Sequence, residues 1–252
     1  MLQGKKALIV GIANDHSIAY GIAKAMHEAG ADLALTYLNA KALPYVQALA
    51  KELDANILAP LDVENPREQD ALFQEIREKW GKLDVLVHSI AFCPKDDLYG
   101  RVVDTSAEGV ALAMDVSVHS FLRLIKASEP LMCDGGACMT VSYLGADTVV
   151  ENYNIMGPVK AALQSVTRYA AVELGPKGIS VNALSPGPIS TRAANGLPEF
   201  DSLMKKAQEA TPTGHLTTID ETGAFAAFLA SDAARNITGG VHMLDGGYSL
   251  RS

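Results

Sequence analysis

The sequence predicts an α/β fold, a doubly wound parallel sheet of the Rossmann-like kind, in a single domain over residues 1–252. Short apolar runs recur along the chain and alternate with longer segments of helical periodicity. The runs are apolar throughout, as strands are when helices cover both faces of a parallel sheet. Right-handed crossovers between such strands give the doubly wound arrangement. No break in composition, low-complexity linker or internal repeat divides the 252 residues.

The predicted elements alternate from strand to helix along the chain. Ser17 is a candidate N-cap for the first helix, Gly30 is its stop, and Pro66 suits a first helical turn. The predicted strands are residues 7–11, 33–37, 57–61, 83–88, 137–142, 179–184 and 241–244. The predicted helices are residues 18–29, 41–53, 66–80 and 115–131, a long stretch ending near residue 174, and residues 219–230.

Two segments interrupt this alternation. Residues 92–106 are polar and loop-like, and residues 189–216 contain glycine and proline around a helical middle. Insertions beyond the carboxyl ends of the strands are where such folds bind ligands. The second segment is therefore predicted to be a helical substrate-binding flap.

The composition excludes several classes of protein. Hydrophobic residues make up 48% and charged residues 20%, which argues against a disordered chain. A formal net charge of −8 disfavours binding to nucleic acid or to an anionic membrane. No apolar run is long enough for a membrane helix, and no N-terminal signal region is evident. We expect a soluble, cytoplasmic protein that binds neither nucleic acid nor membrane.

Metal and disulfide chemistry are not expected either. The three cysteines form no CxxC motif, and the six histidines show neither HxH nor HExxH spacing. The cysteines are therefore predicted to be reduced and the metal site to be absent.

The turn after the first predicted strand is a candidate phosphate site. Gly11 would let the backbone pass close to a phosphate, and the helix start at Ser17 offers free N–H groups together with a hydroxyl donor. The segment is not GxGxxG, so an ordinary turn with a serine cap explains it equally well.

Two more strand ends carry candidate cofactor contacts. Asp62 could accept a hydrogen bond from the adenine amino group while the backbone of Val63 reads the ring edge, although an aspartate that caps the next helix is the simpler interpretation. Small residues after the fourth strand would let the backbone lie against a nicotinamide ribose, or they form a simple turn; these are Ser89, Ile90 and Ala91.

Tyr153 and Lys160 are the most informative pair. They lie seven residues apart, so on a helix they would share one face about 10 Å apart along the axis. The tyrosine hydroxyl could donate to a developing oxyanion, and the ammonium could bind ribose hydroxyls and make the tyrosine more acidic. A surface tyrosine and lysine on an amphipathic helix is the alternative. Pro158 requires the helix to start, or to kink, near residues 154–157.

The order of these motifs resembles the short-chain dehydrogenase/reductase superfamily. Within it, the chain is similar to the bacterial enoyl-[acyl-carrier-protein] reductases of type II fatty acid synthesis, from residue 2 to about residue 250. Two marks are specific. Tyr153 and Lys160 are seven apart with Met156 between them, where most of the superfamily has a spacing of four, and Tyr143 precedes Tyr153 by ten residues. The remaining motifs are the turn from Gly11 to Ala19, Asp62-Val63, Ser89-Ile90-Ala91-Phe92, Ser142-Tyr143-Leu144-Gly145, Ser185-Pro186-Gly187-Pro188-Ile189 and Asp245-Gly246-Gly247.

The resemblance implies roles for individual residues. The catalytic residues would be Tyr143, Tyr153 and Lys160, with Tyr153 bonding the thioester carbonyl, Tyr143 shaping the acyl pocket and Lys160 binding the ribose. The other cofactor contacts would be Gly11, Ser17, Ile18, Leu38, Asp62, Val63, Ser89, Ile90, Ala91, Pro188, Ile189, Ser190 and Thr191. The substrate would meet Cys93, Tyr143, Tyr153 and Met156, with Leu98, Leu197 and Phe200 as further lining that ordinary core positions explain equally well.

The activity implied is hydride delivery from a reduced nicotinamide to the β-carbon of a trans-2-enoyl thioester on acyl carrier protein. Enolate charge would then form on the carbonyl oxygen that Tyr153 faces. Members are usually homotetramers, with Asp245-Gly246-Gly247 near a subunit interface. A ketone or alcohol dehydrogenase of the same superfamily is one alternative, and a non-catalytic dinucleotide-binding protein is another.

The cofactor is predicted to be NADH, with NADPH possible. Residues 37–39, at the end of the second strand, offer neither the arginine nor the lysine pair that a 2′-phosphate needs. Leu38 cannot pair with a phosphate, Asn39 could accept from a free hydroxyl, and Lys41 is the only cation nearby. Leu38 and Cys93 also depart from the family's usual pattern, in which a polar residue and a smaller residue are common.

Overall fold

The computed structural model describes the backbone of residues 1–189 and 200–251, and side chains over 1–189 and 204–251. Seven parallel strands form one sheet in the order β3-β2-β1-β4-β5-β6-β7. The predicted doubly wound fold is therefore confirmed. The strands are β1 Lys6–Val10, β2 Asp32–Tyr37, β3 Ile57–Pro60, β4 Val85–His88, β5 Gly136–Val141, β6 Ile179–Pro186 and β7 Val241–Leu244.

Helices cover both faces of this sheet. They are α1 Ile18–Glu28, α2 Leu43–Glu52, α3 Pro66–Trp80, α4 Lys95–Leu98, α5 Ala107–Met114, α6 Ser120–Ser128, α7 Met156–Leu174, α8 Phe200–Ala210 and α9 Ile219–Leu229. Along β1, Leu8 packs into the apolar core on one face and Ile9 into the core on the other, as the period of two requires. This double burial is why the strands are apolar throughout. No helix in residues 1–189 or 200–251 is long and apolar enough to cross a membrane.

The region between β4 and β5 differs most from the prediction. The segment predicted as loop-like contains α4, and the helix predicted from residue 115 already begins at Ala107 as α5. Ser106 caps α5 by accepting from the Gly109 N–H at 2.9 Å, while the Asp97 carboxylate accepts from the Ser106 N–H at 2.7 Å. A π-helical turn over Asp115–His119 then joins α5 to α6.

The starts of two other helices follow from local hydrogen bonding and from proline. α2 begins at Leu43, not at residue 41, because Asn39 Oδ1 accepts from the N–H groups of Lys41 and Ala42 at 3.0 and 3.2 Å. α7 begins at Met156, which places Pro158 in its first turn, where no backbone hydrogen bond is lost. The predicted start near residues 154–157 is confirmed.

Candidate active site

A cavity of about 530 Å³ lies along the carboxyl ends of β1 to β5. It sits where the strand order reverses between β1 and β4, the place where open α/β sheets bind ligands. The structure brings most of the predicted cofactor residues together in its lining, namely Gly11, Ser17, Ile18, Leu38, Asp62, Val63, Ser89, Ile90, Ala91 and Lys160. Lining residues outside the motifs named from the sequence include Val10, Thr36, Leu61, Glu64, Val116 and Val141.

Gly11 follows β1 and lies against Ser89, which follows β4, in the lining of this cavity. Its φ is +108°, and a Cβ there would lie 2.1 Å from the carbonyl oxygen of Ser89. The Ser89 N–H also donates to the Val10 carbonyl at 2.9 Å. The protein's own backbone therefore requires a glycine at this position, whether or not a phosphate approaches it.

The start of α1 faces the cavity at Ile18. Ser17 is the N-cap residue of α1, as predicted, but its hydroxyl is not free to donate to a phosphate. Its hydroxyl donates to the Asn14 carbonyl at 2.6 Å and makes no side-chain capping bond to α1. The Asn14 carboxamide oxygen accepts in turn from the His16 N–H at 3.1 Å. Ser17 thus shapes the turn. The Tyr20 N–H already donates to the Ser17 carbonyl at 3.0 Å, so the N–H groups ahead of it at the start of α1 are the donors suited to an anion.

At the end of the cavity beside β3, Asp62 Oδ1 accepts from the Glu64 N–H at 3.0 Å. The Val63 carbonyl accepts from Arg123 Nη2 at 2.8 Å, and the same guanidinium pairs with Asp115 at 3.1 Å. The Val63 carbonyl is therefore already hydrogen-bonded within the protein. No signal in the sequence points to Arg123, because its contact with Val63 spans sixty residues.

Beside the second strand, Leu38 lines the cavity with 57% of its surface exposed. Asn39 does not fit its predicted role as acceptor for a ribose hydroxyl. Its Oδ1 already accepts the two N–H groups ahead of α2, and the lining over the described residues includes Leu38 but not Asn39.

The segment that follows β4 is held in place by hydrogen bonds to the π-helical turn. The Phe92 N–H donates to Ser117 Oγ at 3.0 Å, and the Ser117 hydroxyl donates to the Phe92 carbonyl at 3.2 Å. Val116, the neighbour of Ser117, lines the cavity. The turn thus fixes the chain segment that carries Ser89, Ile90 and Ala91, and π-helical turns often occur at functional sites.

Lys160 lies in the floor of the cavity with 5% of its surface exposed. Its Nζ donates to the Val141 carbonyl at the end of β5, at 2.6 Å. Burial lowers the pKa of Lys160 to about 8. The ammonium is therefore held in place, but it has lost much of its hydration.

His88 is a buried neighbour of this lysine that the sequence analysis did not identify. Its Nδ1 lies 3.0 Å from Thr140 Oγ1 and its Nε2 lies 2.8 Å from Ser120 Oγ. Burial, and next the positive charge of Lys160, lowers the pKa of His88 to about 3. The imidazole is neutral at physiological pH and ties β4 to β5 and α6.

Tyr143 and Tyr153 form a second group beside the cavity. Their ring centroids lie 5.0 Å apart with an interplanar angle of 63°. Because α7 begins at Met156, Tyr153 precedes the helix, and the predicted shared helical face with Lys160 is wrong. Neither tyrosine lines the larger cavity as the structure describes it; Tyr153 borders a second cavity of about 440 Å³ with Gly145, Asn154 and Pro158.

The acidity of the tyrosines also differs from the prediction. Burial raises the pKa of Tyr143 to about 12, and it raises the pKa of Tyr153 well above the usual value for a phenol. The expected lowering by the Lys160 ammonium is not found, since desolvation dominates. Both hydroxyls are neutral hydrogen-bond donors at physiological pH.

Three of the predicted substrate residues, Cys93, Met156 and Tyr153, belong to or pack against one apolar core. Cys93 and Met156 are buried in the same apolar core, against which Leu98 and Tyr153 pack. Burial, and next the negative charge of Asp97, raises the pKa of the Cys93 thiol, so it acts as an apolar group. Pro188 is buried and Ile189 half-buried, outside the lining of the larger cavity. Ser190, Thr191 and Leu197, and the side chain of Phe200, lie outside the described residues.

Over residues 1–189 and 204–251, no cluster of three or more histidine, cysteine or carboxylate side chains is placed to hold a metal ion.

A parallel sheet with a cavity at its switch point, a glycine turn leading into a helix, and a buried lysine in the floor define a dinucleotide-binding oxidoreductase of the short-chain type. The family model described as Enoyl-(Acyl carrier protein) reductase matches residues 11–249. The chain belongs to this enoyl-(acyl carrier protein) reductase family.

Individual relatives resemble the chain over nearly its whole length. It is 45% identical to "Enoyl-[acyl-carrier-protein] reductase [NADH] 1" of Rhizobium meliloti (strain 1021), covering 98% of this chain and 91% of the relative. Among solved structures, the NADH enzyme of Aquifex aeolicus VF5 has a TM-score of 0.95 at 45% identity, covering 99% of this chain and 98% of that one. The Bacillus cereus enzyme, solved with NADP+ and indole naphthyridinone, has a TM-score of 0.97 at 41% identity, covering 100% and 98%.

Proposed function

We propose that this chain reduces trans-2-enoyl thioesters carried by acyl carrier protein to saturated acyl thioesters, with NADH as the reductant. One observation carries the proposal. Lys160, in the floor of the cofactor cavity, bonds the Val141 carbonyl, and the chain continues within two residues to Tyr143 and its contact with Tyr153. A cofactor-sized cavity is thus joined to a pair of half-buried hydroxyl donors. The relatives of this family support the choice of substrate and reductant, since several carry NADH in their names.

The residues of the larger cavity fit a dinucleotide. The first-turn N–H groups of α1 suit the pyrophosphate, Asp62 suits the adenine amino group, and the Lys160 ammonium suits the ribose hydroxyls. Gly11 itself adds no side chain to the lining. Bound NADH supplies the hydride.

The tyrosines act on the thioester carbonyl. Reduction at the β-carbon leaves negative charge on the carbonyl oxygen, and a neutral hydroxyl placed there stabilises that charge. We assign this donor to Tyr153 and the shaping of the acyl pocket to Tyr143, whose ring packs edge-on against it. Burial suits this role, because it keeps the phenols protonated and makes their hydrogen bonds stronger than in water.

The acyl chain would lie between the segment of α4 and the flap at residues 189–216. Cys93, Leu98 and Met156, which pack in one apolar cluster with Tyr153, form the proposed apolar wall. α8, Phe200–Ala210, is the helical middle of the proposed flap.

The wider setting of the enzyme is also a proposal. Residues 1–252 act as one catalytic domain, the enzyme works in the cytoplasm as a homotetramer, and acyl carrier protein delivers the substrate. These statements rest on the family, and size-exclusion chromatography with light scattering tests the oligomeric state.

One assay tests the function. The purified protein is mixed with NADH and a trans-2-enoyl thioester of acyl carrier protein, and the absorbance of the reduced cofactor is followed. We expect oxidation only when the enoyl thioester is present. Turnover of a 3-ketoacyl thioester without enoyl turnover would favour the ketone reductase instead, and NADH binding without any turnover would favour a non-catalytic role.

A further inference from the structure

Gln164 makes two hydrogen bonds from one buried nitrogen. It lies on α7 one turn beyond Lys160, with 3% of its surface exposed. Its Nε2 donates to Ser142 Oγ at 3.1 Å and to Asp147 Oδ2 at 3.0 Å. A side-chain amide nitrogen carries two hydrogens, so both bonds are made at the same time.

The two acceptors stand at the ends of the turn that carries Tyr143. This turn, residues 142–147, also contacts Tyr153 through its backbone. A Cβ on Gly145 would lie 2.4 Å from Cδ1 of Tyr153, and a Cβ on Gly157 would lie 2.8 Å from the Gly145 carbonyl oxygen. The turn is therefore packed between the Tyr153 ring and the first turn of α7, and a shift of the turn moves both tyrosines.

We propose that Gln164 is a positioning residue that sets the geometry of the tyrosine pair by holding both ends of this turn. The assignment rests on the proposed function, in which Tyr153 faces the thioester carbonyl. Gln164 is outside the lining of the cofactor cavity, as far as the structure describes that lining, so its effect is on the enoyl substrate and not on the dinucleotide.

The chemistry of the two bonds allows them to be reversed. In Gln164→Glu the carboxylate has no hydrogen to donate and faces the Asp147 carboxylate at a distance where like charges repel. When Gln164→Glu is combined with Asp147→Asn, the new amide at position 147 donates to the new carboxylate at position 164. The Ser142 hydroxyl can donate to that carboxylate as well, so both bonds form again in the opposite direction.

The kinetic test compares these variants. For Gln164→Glu we expect kcat/KM for the enoyl thioester to fall about tenfold or more while the KM for NADH stays within about twofold. The double variant should return to within about threefold of the wild type, which a purely additive loss does not do. Gln74→Leu on α3 is the matched control, because it removes an exposed amide that donates to Glu78 at 2.9 Å and should change neither constant.

A second measurement needs no turnover. The protein is labelled with 3-fluorotyrosine, and the resonances of Tyr143 and Tyr153 are assigned by their Phe variants. In Gln164→Glu these two fluorine resonances should shift or broaden while the other tyrosines keep theirs, and the double variant should restore them. Gln164→Met, which keeps the length without the donors, replaces Gln164→Glu if that variant does not fold.

Unchanged tyrosine resonances in the Gln164 variants would overturn the proposal, and so would a double variant no better than Gln164→Glu. If the wild type does not reduce an enoyl thioester, the proposed function fails, and the fluorine spectra still decide whether Gln164 positions the tyrosines.

Discussion

The ring of Tyr143 packs edge-on against the ring of Tyr153, with centroids 5.0 Å apart and an interplanar angle of 63°. Two neutral, half-buried phenols therefore stand side by side near the cofactor cavity. The arrangement explains how two tyrosines ten residues apart can divide the work on one carbonyl: one hydroxyl donates to the oxygen, and the other ring sets its position. It also makes the two roles separable by mutation, because phenylalanine keeps the ring contact and removes only the hydroxyl.

Removing the Tyr153 hydroxyl tests this division. We expect Tyr153→Phe to lower kcat about 100-fold, the loss found when one donor to a developing oxyanion is removed, with little change in the KM for NADH. Tyr143→Phe should cost much less, since the ring remains. If Tyr143→Phe abolishes turnover while Tyr153→Phe keeps full kcat, the two roles are assigned the wrong way round.

Lys160 should control the binding of the cofactor. Lys160→Ala removes the ammonium proposed to bind the ribose, and charge-assisted hydrogen bonds of this kind are worth about 1.5–3 kcal/mol, so NADH affinity should fall by about tenfold or more. Lys79→Ala, which removes an exposed lysine on α3, should leave the affinity unchanged. Fluorescence titration of NADH measures both.

The pH dependence of NADH binding gives a second check on the same lysine. With a pKa of about 8, Lys160 is charged below that pH and increasingly neutral above it. NADH affinity in the wild type should therefore fall as the pH rises through about 8, and this fall should be absent in Lys160→Ala. A wild-type affinity that stays constant to pH values about two units above that pKa would contradict the role given to the ammonium.

His88 should make the fold sensitive to acid. Its pKa is lowered from 6.5 to about 3, so the unfolded chain binds a proton below pH 6.5 that the folded protein does not bind until near pH 3. Stability is therefore lost as the pH falls from 6.5 towards 3, by about 2 kcal/mol between pH 7 and pH 5 from this residue. Urea unfolding at the two pH values measures the loss.

A histidine variant isolates that contribution. His88→Gln keeps hydrogen bonding but cannot titrate, so the variant should be less stable at pH 7 and show a smaller difference between the two pH values. His16→Gln, at an exposed position in the turn before α1, serves as the control and should keep the wild-type difference. An equal difference in His88→Gln would mean that other groups cause the acid sensitivity.

Gly11→Ala should be poorly tolerated, because the new Cβ would meet the Ser89 carbonyl at 2.1 Å. Gly81, at the end of α3, is a matched control: its φ of +67° is also positive, but nothing lies within 4 Å of a Cβ built there. We expect Gly81→Ala to cost about 1 kcal/mol of stability from backbone strain alone, and Gly11→Ala to cost clearly more and to lose NADH binding. Similar losses in the two variants would mean that the β1–β4 junction relaxes easily.

The sequence was sufficient for the sheet and for most of the cofactor cavity because both depend on local signals. A strand buried on two faces must be apolar throughout, and the residues at the carboxyl ends of parallel strands meet at one edge. The sequence alone therefore predicts that Gly11, Asp62 and Ser89 lie close together. Pro158 likewise determined the start of α7, since proline is accepted in a first turn and not in the middle of a helix.

What the sequence could not predict depends on contacts between distant segments. Arg123 donates a hydrogen bond to Val63, and Ser117 accepts one from Phe92. No sequence motif predicts either contact. The sequence also could not predict that the pKa values of the two tyrosines are raised. The sequence shows a lysine seven residues from a tyrosine, but only the packing shows that desolvation, and not that charge, sets the pKa of Tyr153.

The choice between NADH and NADPH should be decided at Leu38. This side chain lines the cavity and is 57% exposed, and Asn39, the other candidate to meet a ribose hydroxyl, is already committed to the start of α2. A 2′-phosphate placed here would lose water without gaining a cation, so kcat/KM should favour NADH. Because no carboxylate repels the phosphate, we expect the preference to be about tenfold and not absolute.

Leu38→Arg supplies the missing cation and should raise kcat/KM for NADPH while changing that for NADH little. Leu38→Met, similar in volume and uncharged, should keep the wild-type ratio. A wild type that prefers NADPH would refute the prediction and point to Lys41, the cation just ahead of α2, which Lys41→Ala then tests.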